Sequence, residues 1–272
     1  MAVRDLLVLV DNDAASQRRL DYALDIARRF DARVTAMALV PHPYVPALVG
    51  VHIPVELAQA QVREGERAAE QALRAAEDAA RSHGRSIVPM TAAGSAEVLE
   101  EGFAQAARLA DLSVVGQPDE SSIALLAEAA FLRTGRPAIV VPAVGAKPGP
   151  VRRAVIGWNG SREAARAVHD ALPFLLEAEQ TIVLAVDAPA EGEASAGDLA
   201  AHLARHGVRV EVSTLPSGGL SAGDAILARS VDESADLLVM GGYGHSRMRE
   251  LVLGGATREI LSQMSLPVLM SH

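Results

Sequence analysis

A glycine-rich segment in the second half of the chain combines the residue types best suited to hold an anion. It spans residues 241–258 and reads Gly-Gly-Tyr-Gly-His-Ser-Arg-Met-Arg-Glu-Leu-Val-Leu-Gly-Gly-Ala-Thr-Arg. Its glycines let the backbone approach a ligand closely. Ser246 is a candidate N-cap for one helix, and a second helix that starts after Gly255 would leave its first backbone N–H groups free to bind a ligand. Arg247, Arg249 and Arg258 add positive charge. The segment predicts a phosphate site, and the alternative is a tight loop without a ligand.

Short apolar runs that alternate with longer amphipathic stretches must position this segment. This pattern is typical of a parallel sheet covered by helices on both faces. It predicts five strands in each half of the chain. The first five are Leu6–Val10, Val34–Val40, Ile87–Met90, Leu112–Gly116 and Ala138–Val141, and the second five are Ala154–Gly157, Ile182–Val186, Val208–Val212, Leu237–Gly241 and Val268–Met270.

The two sets of strands form an internal repeat. The run Asp-Leu-Ser-Val-Val-Gly at 111–116 matches Asp-Leu-Leu-Val-Met-Gly at 236–241. The first half has a long predicted helix at 54–82, where the second has only a short one at 198–206 that Gly207 ends. We therefore predict two doubly wound α/β domains, at 1–146 and 151–272, separated by a Gly/Pro-rich linker.

The spacing G-x-x-G-x9-G after a strand that ends Val-Met-Gly resembles the phosphate loop of the universal stress protein family. The run Val-Ile-Gly-Trp-Asn-Gly-Ser at 155–161 resembles the first strand and turn of that family, and Pro-Val-Leu-Met at 267–270 resembles its closing strand. The resemblance covers essentially the whole chain as a tandem pair. It implies five-stranded parallel sheets of order 3-2-1-4-5, with an adenine nucleotide bound between strands one and four, where such a sheet reverses direction.

The resemblance also implies a ligand, a set of contacts and a pairing of the domains. ATP or another adenine nucleotide, with Mg2+, would be the cofactor. The closing strands of the two domains would pair antiparallel, as an intramolecular pseudo-dimer, and a homodimer of the whole chain stays open. The implied nucleotide contacts are Gly241, Gly244, Gly254 and Gly255 at the phosphates, Asn159 at the nucleoside and Val186 at the base.

Two residues depart from the family pattern. Gly255 stands directly after the last glycine of the pattern, where ATP-binding members place Ser or Thr, which leaves Thr257 as the nearest hydroxyl. Asn159 replaces the usual Asp. The first half has no glycine between Gly116 and Gly135. We therefore predict one nucleotide site, in the second half, and a degenerate first half.

The remaining candidate residues favour simpler interpretations. His245 is more typically a solvated loop residue than an acid. Tyr243 fits ligand contact and packing equally, and Trp158 fits adenine stacking or packing between the domains. His42, His52 and His83 are scattered and indicate no metal site. Because no catalytic motif is present, we expect a binding module with at most slow ATP hydrolysis.

Composition limits the partners of this chain of 272 residues. A formal net charge of −9 disfavours nucleic acid, and the absence of cysteine excludes disulfides and thiolate chemistry. No targeting signal or membrane span is recognisable, so we expect a cytoplasmic protein. We predict a stress-response module that binds adenine nucleotide, with an unknown protein partner. The alternative is a nucleotide-independent module that binds a protein or an apolar ligand through the 44–53 loop and the long helix.

Overall fold

The fold is taken from a computed structural model that describes residues 3–42, 55–118, 124–187, 194–243 and 255–272. All ten predicted strands are present, with small shifts at their ends. They are β1 Asp5–Leu9, β2 Arg33–Pro41, β3 Ile87–Gly94, β4 Leu112–Gly116, β5 Ala138–Val141, β6 Arg153–Gly157, β7 Gln180–Val186, β8 Val210–Leu215, β9 Leu237–Gly241 and β10 Val268–Ser271.

Within the described ranges, eight helices connect these strands. They are α1 Ala14–Phe30, α2 Val55–Ser82, α3 Ala96–Arg108, α4 Ala124–Leu132, α5 Arg162–Glu177, α6 Ala196–Arg205, α7 Ala222–Asp232 and α8 Ala256–Gln263. The predicted long helix appears as α2 and the short one as α6. A serine precedes each of α5, α6 and α7, and it caps that helix by accepting a hydrogen bond from the backbone N–H three residues later.

The strands form one ten-stranded sheet of order β3-β2-β1-β4-β5-β10-β9-β6-β7-β8. Each half has the predicted order 3-2-1-4-5, and all pairings inside a half are parallel. The halves join where β5 runs antiparallel to β10, with Leu269 opposite Ile139. The antiparallel pairing of the closing strands was predicted and is present. Because β5 and β10 pair with each other, neither strand lies at a sheet edge, and the strands of the two halves form one continuous sheet.

Helices cover both faces of the sheet, as the continuous apolar runs indicate. In β1, Leu6 and Val8 face one core, and Leu7 and Leu9 face the other. The first core receives α1, α2, α5 and α6, and the second receives α3, α4, α7 and α8. Because the strands of each half are parallel, their carboxyl ends lie at one edge of the sheet, where a ligand crevice is expected.

Side chains of α1 and α5, on one face of the sheet, also connect the two halves. The guanidinium of Arg29 on α1 pairs with the carboxylate of Glu177 on α5 at 2.7 Å. The rings of Phe30 and Phe174 meet edge to face, with centroids 5.2 Å apart.

No helix among the described residues is both long and apolar enough to cross a membrane.

Candidate functional site

Gly241, the last residue of β9, lies directly against the first turn of α5. A Cβ built on Gly241 would be 2.5 Å from the backbone nitrogen of Ala164 and 2.6 Å from the carbonyl carbon of Glu163. Atoms that are not bonded do not approach so closely, so only glycine fits here. Gly241 was predicted as a phosphate contact, and the packing of α5 on β9 is by itself sufficient to require glycine here.

The next two residues turn toward the first half of the chain. A Cβ at Gly242 would overlap the ring of Phe131 on α4. Tyr243 adopts a left-handed conformation with φ of 51°, stacks on that ring with centroids 6.4 Å apart, and donates its hydroxyl hydrogen to Glu128 at 2.7 Å. Of the two roles predicted for Tyr243, the structure therefore shows packing.

Helix α8 begins at the same place, immediately after Gly255. Gly255 is its N-cap residue and supplies no side chain to satisfy the first N–H groups. The hydroxyl of Thr257 accepts a hydrogen bond from the backbone N–H of Tyr243 at 3.1 Å, and Thr257 is buried. This hydroxyl, the predicted substitute for a phosphate contact, therefore ties the start of α8 to the end of β9, and its own hydrogen can still be donated.

The first turns of α5 and α8 thus flank the end of β9, and each carries charged side chains. Glu163 on α5 is buried and pairs with Arg162. Burial raises the pKa of the Glu163 carboxyl, but its hydrogen bonds and the charges of Arg162 and His272 together hold that pKa below its usual range. Glu163 is therefore ionised, while Arg258 on α8 is exposed to solvent.

The other predicted contacts lie at the ends of neighbouring strands. Asn159 follows β6, which pairs with both β7 and β9, and its Oδ1 accepts a hydrogen bond from the backbone N–H of Ser161 at 3.1 Å. Val186 is the last residue of β7 and is half-buried. The structure therefore brings Asn159, Val186, Gly241 and Gly255 to one edge of the sheet. The predicted contacts Gly244 and Gly254 lie outside the described residues, as do His245, Ser246, Arg247 and Arg249.

Solved structures share this architecture. A universal stress protein from Archaeoglobus fulgidus matches with a TM-score of 0.72 at 17% identity, covering 98% of this chain and 95% of that one. The chain therefore has the fold of a universal stress protein over nearly its whole length. A second structure assigned to these proteins, from Pseudomonas aeruginosa, matches with a TM-score of 0.59 at 13% identity and covers 99% of this chain and 93% of that one.

Sequence similarity to universal stress proteins is local. A segment of 67 residues is 42% identical to a universal stress protein of Synechocystis sp.. It spans 25% of this chain and 22% of that relative, so the chain matches about a fifth of the relative's length. No protein-family model matches the chain.

In the first half of the chain, an arginine fills the corresponding crevice. Arg19 on α1 is buried, donates from Nε to the carbonyl oxygen of Leu9 at 2.7 Å, and pairs with the carboxylate of Asp11 at 2.9 Å. Its guanidinium occupies the space that a Cβ on Gly116 would need. The equivalent position in the second half is the small residue Ala167, which lets α5 pack directly on Gly241. Arg19 was not predicted from the sequence.

A groove of about 260 Å³ lies between α5 and α6 of the universal stress fold. Trp158 forms part of its lining, is 8% exposed, and donates from Nε1 to the carbonyl oxygen of Ala194 at 2.9 Å. Trp158 therefore packs within the second half, so the prediction that it packs between the domains is wrong. The other lining residues are Ala165, Val168, His169, Leu172, Ala194, Asp198, Leu199 and His202.

A pair of histidines beside this groove was not predicted from the sequence. His202 and His206 are four residues apart on the last turn of α6, with ring centroids 4.7 Å apart. Their i, i+4 spacing was visible in the sequence. The loop predicted to bind a partner, residues 44–53, lies outside the described residues.

Proposed function

We propose that this chain is a stress-response binding module whose C-terminal half holds an adenine nucleotide at the end of β9. One observation carries the proposal: two helices begin beside that strand end, because Gly241 packs on the first turn of α5 and Tyr243 is bonded to Thr257 at the start of α8. The free N–H groups and dipoles of such helix starts favour anions. Phosphates are the anions that this geometry suits best.

The orientation of the nucleotide follows from the order of the strand ends. The phosphates would lie nearest Gly241 and Gly255, the ribose at Asn159 one strand away, and the base at Val186 one strand further. The predicted contacts Gly244 and Gly254 belong to the segment that joins β9 to α8. This arrangement extends across the point where the sheet reverses direction, the expected place for a ligand in an open α/β sheet.

The charges at the site make us expect a role for Mg2+. The ionised carboxylate of Glu163 lies in the first turn of α5, and Glu259 lies in the first turn of α8. Both would repel a triphosphate, and among the described residues at the start of α8 the positive charge comes from Arg258. A divalent cation bridging the phosphates would reduce that repulsion, so ATP is expected to bind more tightly with Mg2+ than without it.

The first half is not proposed as a site. Its crevice already contains the guanidinium of Arg19, bonded to Leu9 and Asp11. A nucleotide there would have to displace a buried, paired charge, which costs several kcal/mol, on the order of 3 to 5. We therefore expect one nucleotide per chain.

Calorimetric titration of the full chain tests this proposal. ATP, AMP and cyclic AMP are titrated with and without Mg2+ into the parent, into Gly244→Asp, and into Gly84→Asp, which adds the same charge at an exposed turn far from the site. We expect one site per chain, at least tenfold weaker binding in Gly244→Asp, and parental binding in Gly84→Asp. Thermal unfolding of each variant shows that the fold is intact. Absence of binding by the parent, or equal binding by all three proteins, would overturn the proposal.

A further inference from the structure

We propose that His202 and His206 form a two-histidine site for a first-row transition-metal ion, with Cu2+ preferred over Ni2+ and Zn2+. The two residues lie one turn apart at the end of α6, with ring planes inclined by 58° and centroids 4.7 Å apart. Neutral imidazole is a good ligand for these metals, and their affinities follow the order of divalent ions in which Cu2+ is highest.

The separation of the rings fits one ion bound between them. Metal–nitrogen bonds of about 2.0 to 2.1 Å place the two ligand nitrogens roughly 2.9 Å apart at the angle of about 90° in tetragonal Cu2+ sites, and roughly 3.3 Å apart at the tetrahedral angle of Zn2+. The 4.7 Å between the centroids leaves room for one nitrogen of each ring to point inward at either spacing. Small side-chain rotations on an exposed helical turn then suffice to complete the chelate.

Neither imidazole is committed to another described residue. Both histidines are exposed, and among the described residues no hydrogen bond reaches either ring. Asp198, one turn before His202, is not free, because its carboxylate accepts hydrogen bonds from the Ser195 backbone N–H at 3.2 Å and hydroxyl at 2.8 Å. The site is therefore built from two histidines, with water completing the coordination of the ion.

The position of the pair favours a cation for a second, independent reason. His202 lies in the last turn of α6 and His206 is its C-cap residue. The carbonyl groups and the macrodipole at a helix C-terminus stabilise positive charge within that last turn. Arg205, in the same turn, opposes this with its own charge. Because this site has two protein ligands where a structural zinc site has four, we expect a dissociation constant for the metal ion on the order of 10 to 100 µM.

No group of three His, Asp or Glu among the described residues could hold a metal ion. His202 also lines the groove that contains Trp158, the only tryptophan of the chain. A paramagnetic ion bound at His202 would lie beside that groove and quench the fluorescence of Trp158.

Titration of the full chain with CuCl2, NiCl2 and ZnCl2, without nucleotide, tests the proposal. Calorimetry gives the affinity, and the emission of Trp158 reports the position of Cu2+ or Ni2+. His202→Ala and His206→Ala are each expected to weaken binding at least tenfold and to abolish the saturable quenching. Both remain folded, since alanine is favourable on an exposed helical turn.

Two control variants separate this pair from other histidines. His42→Ala removes an exposed histidine in the first half and should bind as the parent does. His169→Ala removes the histidine on the opposite wall of the groove and should change the affinity less than threefold. No saturable binding below 1 mM, an order of magnitude above the expected range, would overturn the proposal. Unchanged binding in a His202→Ala/His206→Ala double variant would overturn it as well.

Discussion

Replacing Gly241 by alanine adds one methyl group at the point where β9 meets the first turn of α5. The new Cβ would lie 2.5 Å from the Ala164 backbone nitrogen and 2.6 Å from the Glu163 carbonyl carbon, so α5 or β9 must move by about 1 Å to restore ordinary contact. Overpacking of this kind costs about 1 to 3 kcal/mol. For a chain of this size we expect the unfolding temperature to fall by about 3 to 10 °C.

Thermal unfolding followed by circular dichroism measures this change, with Gly102→Ala as the matched control. Gly102 lies within α3, and a Cβ there would be 3.7 Å from the Cβ of Ala92, an ordinary contact. Alanine is favoured over glycine inside a helix, so the control should unfold at or slightly above the parental temperature. If Gly241→Ala unfolds within 1 °C of the parent, a difference of about 0.3 kcal/mol, the packing argument is refuted. A stable variant that has lost nucleotide binding would instead assign this glycine to the ligand.

Three further substitutions test other contacts of the two crevices. Arg19→Ala leaves Asp11 without its partner, and since that carboxylate is partly exposed we expect a loss of about 2 kcal/mol in urea unfolding. Tyr243→Phe keeps the ring but loses the hydrogen bond to Glu128, which should lower the free energy of unfolding by about 1 kcal/mol and leave the slope of the urea curve unchanged. Glu163→Gln tests pH dependence: because the pKa of this carboxyl is lowered on folding, the stability it contributes is present above its ordinary value of 4.5 and is lost as the pH falls further. The parent should therefore lose more stability between pH 6 and pH 3 than the variant does, and equal losses would contradict the role given to this carboxylate.

The strands could be predicted because their signals are local or repeated, whereas their order followed from the resemblance to a family. Apolar runs marked all ten strands, and the repeat showed that one plan is used twice. The pairing of β5 with β10 followed from the resemblance to a family, since four-residue strands such as Ala138–Val141 do not by themselves specify a partner.

The contacts that define the site could not be predicted, because they join residues distant in the chain. Nothing near Tyr243 indicates that its hydroxyl binds Glu128, a residue 115 positions earlier. The filling of the first crevice by Arg19 depends on how far a side chain on α1 reaches across the end of β4. Glycine at the end of β9 is expected equally for a ligand or for a close helix, and only the position of α5 distinguishes the two.

The antiparallel pairing of β5 with β10 makes the two halves natural fragments for complementation. Residues 145–150, between the halves, belong to no helix or strand, so cutting the chain there would break no backbone ladder. Each fragment would then present a four-residue closing strand with unpaired backbone groups, able to bind either the other fragment or a second copy of itself. In the intact chain the short connection keeps the effective concentration of the correct partner in the millimolar range. The closing strands alone would permit three assemblies: a pair of first halves, a pair of second halves, or one of each. The linker selects the last of these.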